Sequence, residues 1–198
     1  LIPLNRPLKL VVAYTSGAGH TAKLAEAITS GATQNGMQAS ALDVKTLPED
    51  TQDKAWTILH EAHCIVLGSP TYMGGVSAPF KAFMDASSDF WMDQRWANKI
   101  AGGFTIGSRR SGDKLTTLQH LAIFGAQQGM VWVGQGIVGG RGAGQNESLN
   151  PDGSWLGLMA TSSADKSEMI DAATRQTAQE YGKRLAQATL RWNAISNV

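Results

Sequence analysis

Residues 8–21 read LKLVVAY-TSGAGHT, and this stretch sets the fold class. Leu8–Tyr14 is a short, β-branched apolar run, the pattern of a strand buried on both faces. Thr15–Gly19 breaks it with small residues. From about His20 to Asn35 the residues Leu24, Ala25, Ile28 and Ala32 share one helical face, and Gly36 stands where a C′ glycine ends a helix.

A glycine-rich turn between a strand and a helix is a place for an anion. Amides at a helix N-terminus carry partial positive charge, and glycine lets the backbone approach closely. Thr15, Ser16 and Thr21 add hydroxyl donors around Gly17, Ala18, Gly19 and His20. Three other readings compete with a monophosphate cradle. A Walker A loop would need a lysine before Thr21, and His20 stands there. Gly17–Ala22 matches G-x-G-x-x-A, with Asp43 at the acidic position of a dinucleotide fingerprint. A plain capped helix start is the third. The hydroxyl cluster suits a terminal phosphate, whose extra oxygens need donors, better than a diphosphate held by bare glycines. FMN is therefore the expected ligand.

Strand and helix patterns then alternate. A strand is expected over Met37–Val44, a helix over Asp50–Glu61, a buried strand over His63–Ser69 and a helix over Ser77–Ser88 with Pro79 in its first turn. Lys99–Ile106 reads as a strand, Asp113–Ala126 as a helix and Gly129–Val133 as a short strand. Gly134–Ser154 holds seven glycines and reads as a long loop, Trp155–Ala160 as a continuation of the last strand, and Lys166–Trp192 as one long helix. The expectation is one α/β domain over 8–193, preceded by an extension over 1–7. Its doubly wound, parallel sheet has five strands, with helices on both faces. Ligands in such folds bind beyond the carboxyl ends of the strands. That points to the loops after three of them, Thr15–Thr21, Pro70–Val76 and Thr105–Gly112.

Tyr72 and Met73 could cover the face of a flat ring, with Pro70 and Thr71 beside them and backbone from Gly74 and Gly75 at its edge. Thr105, Ile106, Gly107, Ser108, Arg109, Arg110 and Ser111 could border the other edge and stabilise an anionic reduced ring. An ordinary turn and solvated arginines are the alternatives.

Bulk composition fits. Lys+Arg is 17 and Asp+Glu is 16, a balance without the basic excess of a nucleic-acid-binding domain. Cys64, the single cysteine, sits in an apolar run and cannot form an internal disulfide, which suits a reducing, cytoplasmic setting. No apolar run approaches the roughly 20 residues that span a bilayer. His60, His63 and His120 lack metal-ligand spacing.

The three loops in this order resemble the flavodoxin-like NAD(P)H:quinone oxidoreductases of the WrbA (Trp-repressor-binding-protein) type. VVAYTSGAGHTAKLAEAITSGA is similar to that family's phosphate loop and first helix, and GSPTYMGGVSAPFKAFMD to its second loop and subsequent helix. The likeness continues through Lys99–Phe104, Gln128–Val131 and the final helix with Tyr181 and Gly182. It implies strand order 2-1-3-4-5, noncovalent FMN, NAD(P)H as co-substrate, and a homodimer or homotetramer. Gln128 falls where the family has a histidine beside the cofactor, and Trp91 where it has a tryptophan over the substrate. Tyr72, Met73, Arg109 and Arg110 depart from the family pattern. The expected chemistry is ping-pong, two-electron transfer from NAD(P)H to a quinone or similar flat acceptor, with no catalytic side chain named. A flavodoxin-type single-electron carrier is the alternative.

Overall fold

A computed structural model describes residues 7–47, 53–139, 148–163 and 168–195. The strands are β1 (Lys9–Tyr14), β2 (Gln38–Asp43), β3 (Cys64–Tyr72), β4 (Gly75–Val76), β5 (Ile100–Gly107), β6 (Val131–Trp132) and β7 (Leu158–Thr161). The helices are α1 (His20–Thr33), α2 (Thr57–His60), α3 (Ala78–Ala86), α4 (Lys114–Gln127) and α5 (Ala172–Ile195). The sheet order is β2-β1-β3-β5-β6, all parallel, with β7 also parallel to β5.

The expected order 2-1-3-4-5 is present, but seven strands build it rather than five. β4 pairs antiparallel with the end of β3, Thr71 opposite Val76. The last position is shared: β6 lies beside Ile100 and Ala101, and β7 beside Phe104–Gly107. The chain between them leaves the edge at Val133 and returns at Leu158, so one strand position is filled twice.

Two helices differ from expectation. The segment expected as a helix over 50–61 begins outside the described residues; its described part is a 3-10 turn, Lys54–Trp56, and the single turn of α2. Asp53 caps the 3-10 turn by accepting the Ala55 amide. The final helix starts at Ala172, because the Asp171 carboxylate accepts the Thr174 amide and closes its first turn. Of the expected loop Gly134–Ser154, residues 140–147 lie outside the described residues, as do 1–6 of the N-terminal extension.

Each strand serves two cores. Leu10 and Val12 join Leu24, Ile28, Tyr181 and Leu185 in a core with α1 and α5. Val11 and Ala13 join Trp56, Phe80, Phe83 and Trp96 on the other face. The α1–α5 contact is close enough to exclude side chains. A Cβ on Gly31 would lie 2.0 Å from the Gln179 carbonyl oxygen, and one on Gly182 would lie 2.1 Å from that of Ile28. Cys64 is buried, and desolvation pushes its thiol up to about 12. No helix of the described residues is long and apolar enough to cross a membrane.

The packing has two measurable consequences. Gly31→Ala or Gly182→Ala forces backbone apart and lowers unfolding free energy by about 1–3 kcal/mol in urea denaturation. His60 accepts a hydrogen bond from Trp96 Nε1 at 3.2 Å, and its pKa is lowered by burial, then by Arg95 and Lys99. His63 is lowered by burial as well. Unfolded histidines take up protons near pH ~6.5, so this stability is present above that value and is lost as pH falls through the lowered folded values. The urea midpoint therefore drops on acidification from about pH 7.5 to 5.5, and His60→Gln/His63→Gln flattens the drop.

Candidate functional site

The parallel register carries three strand ends to one rim. Tyr14 pairs with Gly68, and Pro70 with Ile106. The Thr15 amide donates to Gly68 O at 3.0 Å, and the Ser162 amide to Gly107 O at 2.9 Å. Between these ends opens a cavity of about 260 Å³.

Gly17, Ala18, His20 and Thr21 line it from the first loop. Ser16 Oγ accepts the amides of Gly19 (3.1 Å) and Ala22 (3.4 Å), which fixes the bend. Gly19 adopts φ 95, the left-handed conformation glycine tolerates. The amides of His20 and Thr21 find no acceptor among the described residues, and no acidic side chain occupies the first turn of α1. The positive end of α1 is thus left for an external anion. Glycine is also required sterically: a Cβ on Gly17 would lie 2.2 Å from the Tyr72 hydroxyl, and one on Gly19 would lie 2.9 Å from Met169 Sδ.

The hydroxyl cluster expected here is spent differently. Thr15 is buried, and its hydroxyl bonds Ser77 Oγ at 2.8 Å beneath the loop. Ser16 serves the loop's own amides, leaving Thr21 on the lining. The capacity for an anion therefore rests mainly on backbone. Asp43, the acidic residue a dinucleotide reading needs, accepts the Lys45 amide and caps a turn.

Pro70, Thr71 and Tyr72 form the next wall, with Tyr72 half exposed. Thr71 Oγ1 bonds Thr105 Oγ1 and Thr117 Oγ1, each at 2.8 Å, so these three hydroxyls brace the two strand ends and α4. Met73 and Gly74 sit at the β3–β4 hairpin tip with positive φ, Met73 fully exposed and Gly75 next in β4. Ile106, Gly107 and Ser108 make the opposite wall. Arg109, Arg110 and Ser111 are exposed beyond it, and Arg110 lines a separate small cavity with Asp152 and Asp171.

Ser162 completes the lining, and Met169 packs on the first loop. Sequence reasoning misses both. They reach the site from beyond β7, and nothing in their local sequence marks them.

Trp91 and Gln128 are not brought to this cavity. Trp91 Nε1 donates to Gln127 O at 2.8 Å, and buried Gln128 donates from Nε2 to Ser87 Oγ at 2.9 Å. The strand after Gln128 begins beside Ile100, at the start of β5, whereas the cavity lies at Gly107, its end. At about 3.3 Å per residue the two places are about 20 Å apart. Both residues precede strands of the parallel sheet, which puts them at its amino end, opposite the rim that holds the cavity.

Among the described residues no group of three His, Cys, Asp or Glu side chains could hold a metal ion. The site offers an anion pocket at one end and a slot between Tyr72 and Ile106–Ser108 at the other, which suits a planar group bearing a phosphate.

Residues 8–145 match the family described as NADPH-dependent FMN reductase. Flavodoxin FldP of Pseudomonas aeruginosa is 34% identical over 181 residues, 90% of this chain and 95% of that protein. An NAD(P)H dehydrogenase (quinone) of Archaeoglobus fulgidus is 26% identical over 197 residues, 90% of this chain and 96% of that one. The crystal structure of a WrbA-like flavodoxin from Agrobacterium tumefaciens superposes with TM-score 0.71 at 36% identity, covering 93% of this chain and 98% of that chain. Fold, rim and sequence agree: the chain belongs to the NADPH-dependent FMN reductase family.

Proposed function

We propose that this protein is an FMN-dependent oxidoreductase that accepts electrons from NAD(P)H and passes them to a quinone or related flat acceptor. The observation that carries the reading is the cavity itself: two helix-start amides without acceptors among the described residues at one end, and a slot for a flat ring at the other. Relatives named NAD(P)H dehydrogenase (quinone) cover nine-tenths of this chain and support it.

In this reading Ser16, Gly17, Ala18, Gly19, His20 and Thr21 hold the phosphate, and Thr15 holds the loop. Pro70, Thr71 and Tyr72 line one side of the ring. Thr105, Ile106, Gly107 and Ser108 line the other, with Met73, Gly74, Gly75, Arg109, Arg110 and Ser111 around the mouth. Bound FMN supplies hydride and electron exchange; the chain supplies position, exclusion of water and electrostatics. One slot serves both flat substrates in turn, which is a ping-pong arrangement. A homodimer or homotetramer belongs to the proposal, because Trp91, Met92 and Ile123 give it an exposed apolar surface on the Trp91–Gln127 side. So does a cytoplasmic setting, where the buried Cys64 stays a thiol.

The relative named a flavodoxin favours a second reading, a single-electron carrier. Anaerobic mixing with NADH or NADPH separates the two. Bleaching of bound FMN by either, and its recovery on adding a quinone, is the expected result. No bleaching with both, together with reduction in two well-separated one-electron steps, means the carrier. Failure to bind FMN at all removes both readings.

The cradle has its own check. Gly19→Ala weakens FMN binding about tenfold, a loss of about 1.4 kcal/mol, because the residue is left-handed and pressed by Met169. Gly36→Ala is the control: it is left-handed too, with open space around it, and should lower stability but leave FMN affinity unchanged. Fluorescence titration with FMN reads both.

A further inference from the structure

Lys114, the first residue of α4, is the one charged residue fully buried among the described residues. Its Nζ donates to Asp152 Oδ2 at 2.5 Å, Ala160 O at 2.9 Å and Thr161 Oγ1 at 2.9 Å, which uses all three protons. Thr161 Oγ1 also lies 2.8 Å from Asp152 Oδ2. Both charged side chains are dry, at 0% and 5% exposure.

A cation is misplaced at the positive end of a helix. A buried ion pair is also no general route to stability, since apolar residues of similar volume often serve as well or better. Packing alone does not explain charge at this position. Its surroundings do. The Lys114 stem runs against Gly107, where an added Cβ would meet Cδ at 3.5 Å and Cγ at 3.6 Å. Its ammonium holds Ala160 and Thr161, directly before Ser162. Gly107 and Ser162 both line the cavity and bond each other. Lys114 therefore backs the wall formed by the ends of β5 and β7.

Asp152 comes from the insertion between β6 and β7. Asn150 locks that turn: its amide donates to Thr177 Oγ1, and its Nδ2 to Ile137 O and Ser154 O. The described end of the insertion thus delivers a carboxylate to the back of the wall.

We propose that Lys114 and Asp152 are positioning residues for the bound flavin. The pair fixes the wall beside the ring, and the Lys114 ammonium, added to the positive end of α4, makes the flavin a better electron acceptor, with Asp152 moderating it. This rests on FMN occupying the cavity between the strand ends.

The test is the midpoint potential of bound FMN, read by redox titration of holoprotein. Lys114→Met should lower it and Asp152→Asn should raise it, because the two charges act with opposite sign. Shifts in the same direction, or none, overturn the electrostatic part. The neutral pair Lys114→Met/Asp152→Asn covers the case in which either single variant fails to fold. It should weaken FMN and riboflavin by the same factor, about tenfold, because both carry the ring and only one carries the phosphate. Unchanged affinities, or weakening of FMN alone, overturn the positioning part. If wild-type protein binds no FMN, the reading of the cavity has failed; if it binds and the variants match it in potential and affinity, only this inference has.

Discussion

The parallel pairing of β1, β3 and β5 is the constraint on which the site depends. Parallel strands in one register end together, so the three loops that leave them must share a rim. Two backbone bonds extend the ladder past the strands, Thr15 to Gly68 and Ser162 to Gly107, and carry the alignment into the loops. Each strand is buried on both faces, so a slip by one residue would exchange its side chains between two differently shaped cores. The position of the cavity is thereby fixed by packing far from it.

Within that frame the molecule uses backbone where sequence suggests side chains. The first loop has three hydroxyl residues, yet two of them stabilise the loop itself: Thr15 through Ser77 and Ser16 through the amides of Gly19 and Ala22. What remains for a ligand is the positive start of α1, exposed because glycine occupies the two places where a side chain would collide with Tyr72 or Met169. The opposite wall shows the same economy. Ile106–Ser108 is held from the side by the hydroxyls of Thr71, Thr105 and Thr117 and from behind by Lys114.

β1, β3, β5 and the first helix are legible in the sequence because burial on both faces leaves an unbroken apolar run, and a single helix face leaves a 3.6-residue period. The three rim loops are legible because they come directly after such runs. Other features have no local signature. The two-residue strands β4 and β6 are too short for a period, and the divided edge position emerges only once partners are known. Lys114 at the start of a polar-flanked helix reads as a solvated charge, since its partner Asp152 lies 38 positions away in a glycine-rich stretch. Ser162 and Met169 join the site by tertiary return of the chain, which no pattern near them encodes. Gln128 and Trp91 show the converse: a family position can be found by motif while its place relative to the cavity depends on which end of the sheet the motif occupies.

The glycine-lined crossing of α1 and α5 has a bearing on synthesis. One face of the sheet is closed only when the last helix seats on the first, with Gly182 against Ile28 and Gly31 against Gln179. A chain growing from its N-terminus exposes Leu10, Val12, Leu24 and Ile28 until that helix has emerged. The half-made protein therefore carries an uncovered apolar sheet face, and its exposure to aggregation ends only when α5 seats on α1.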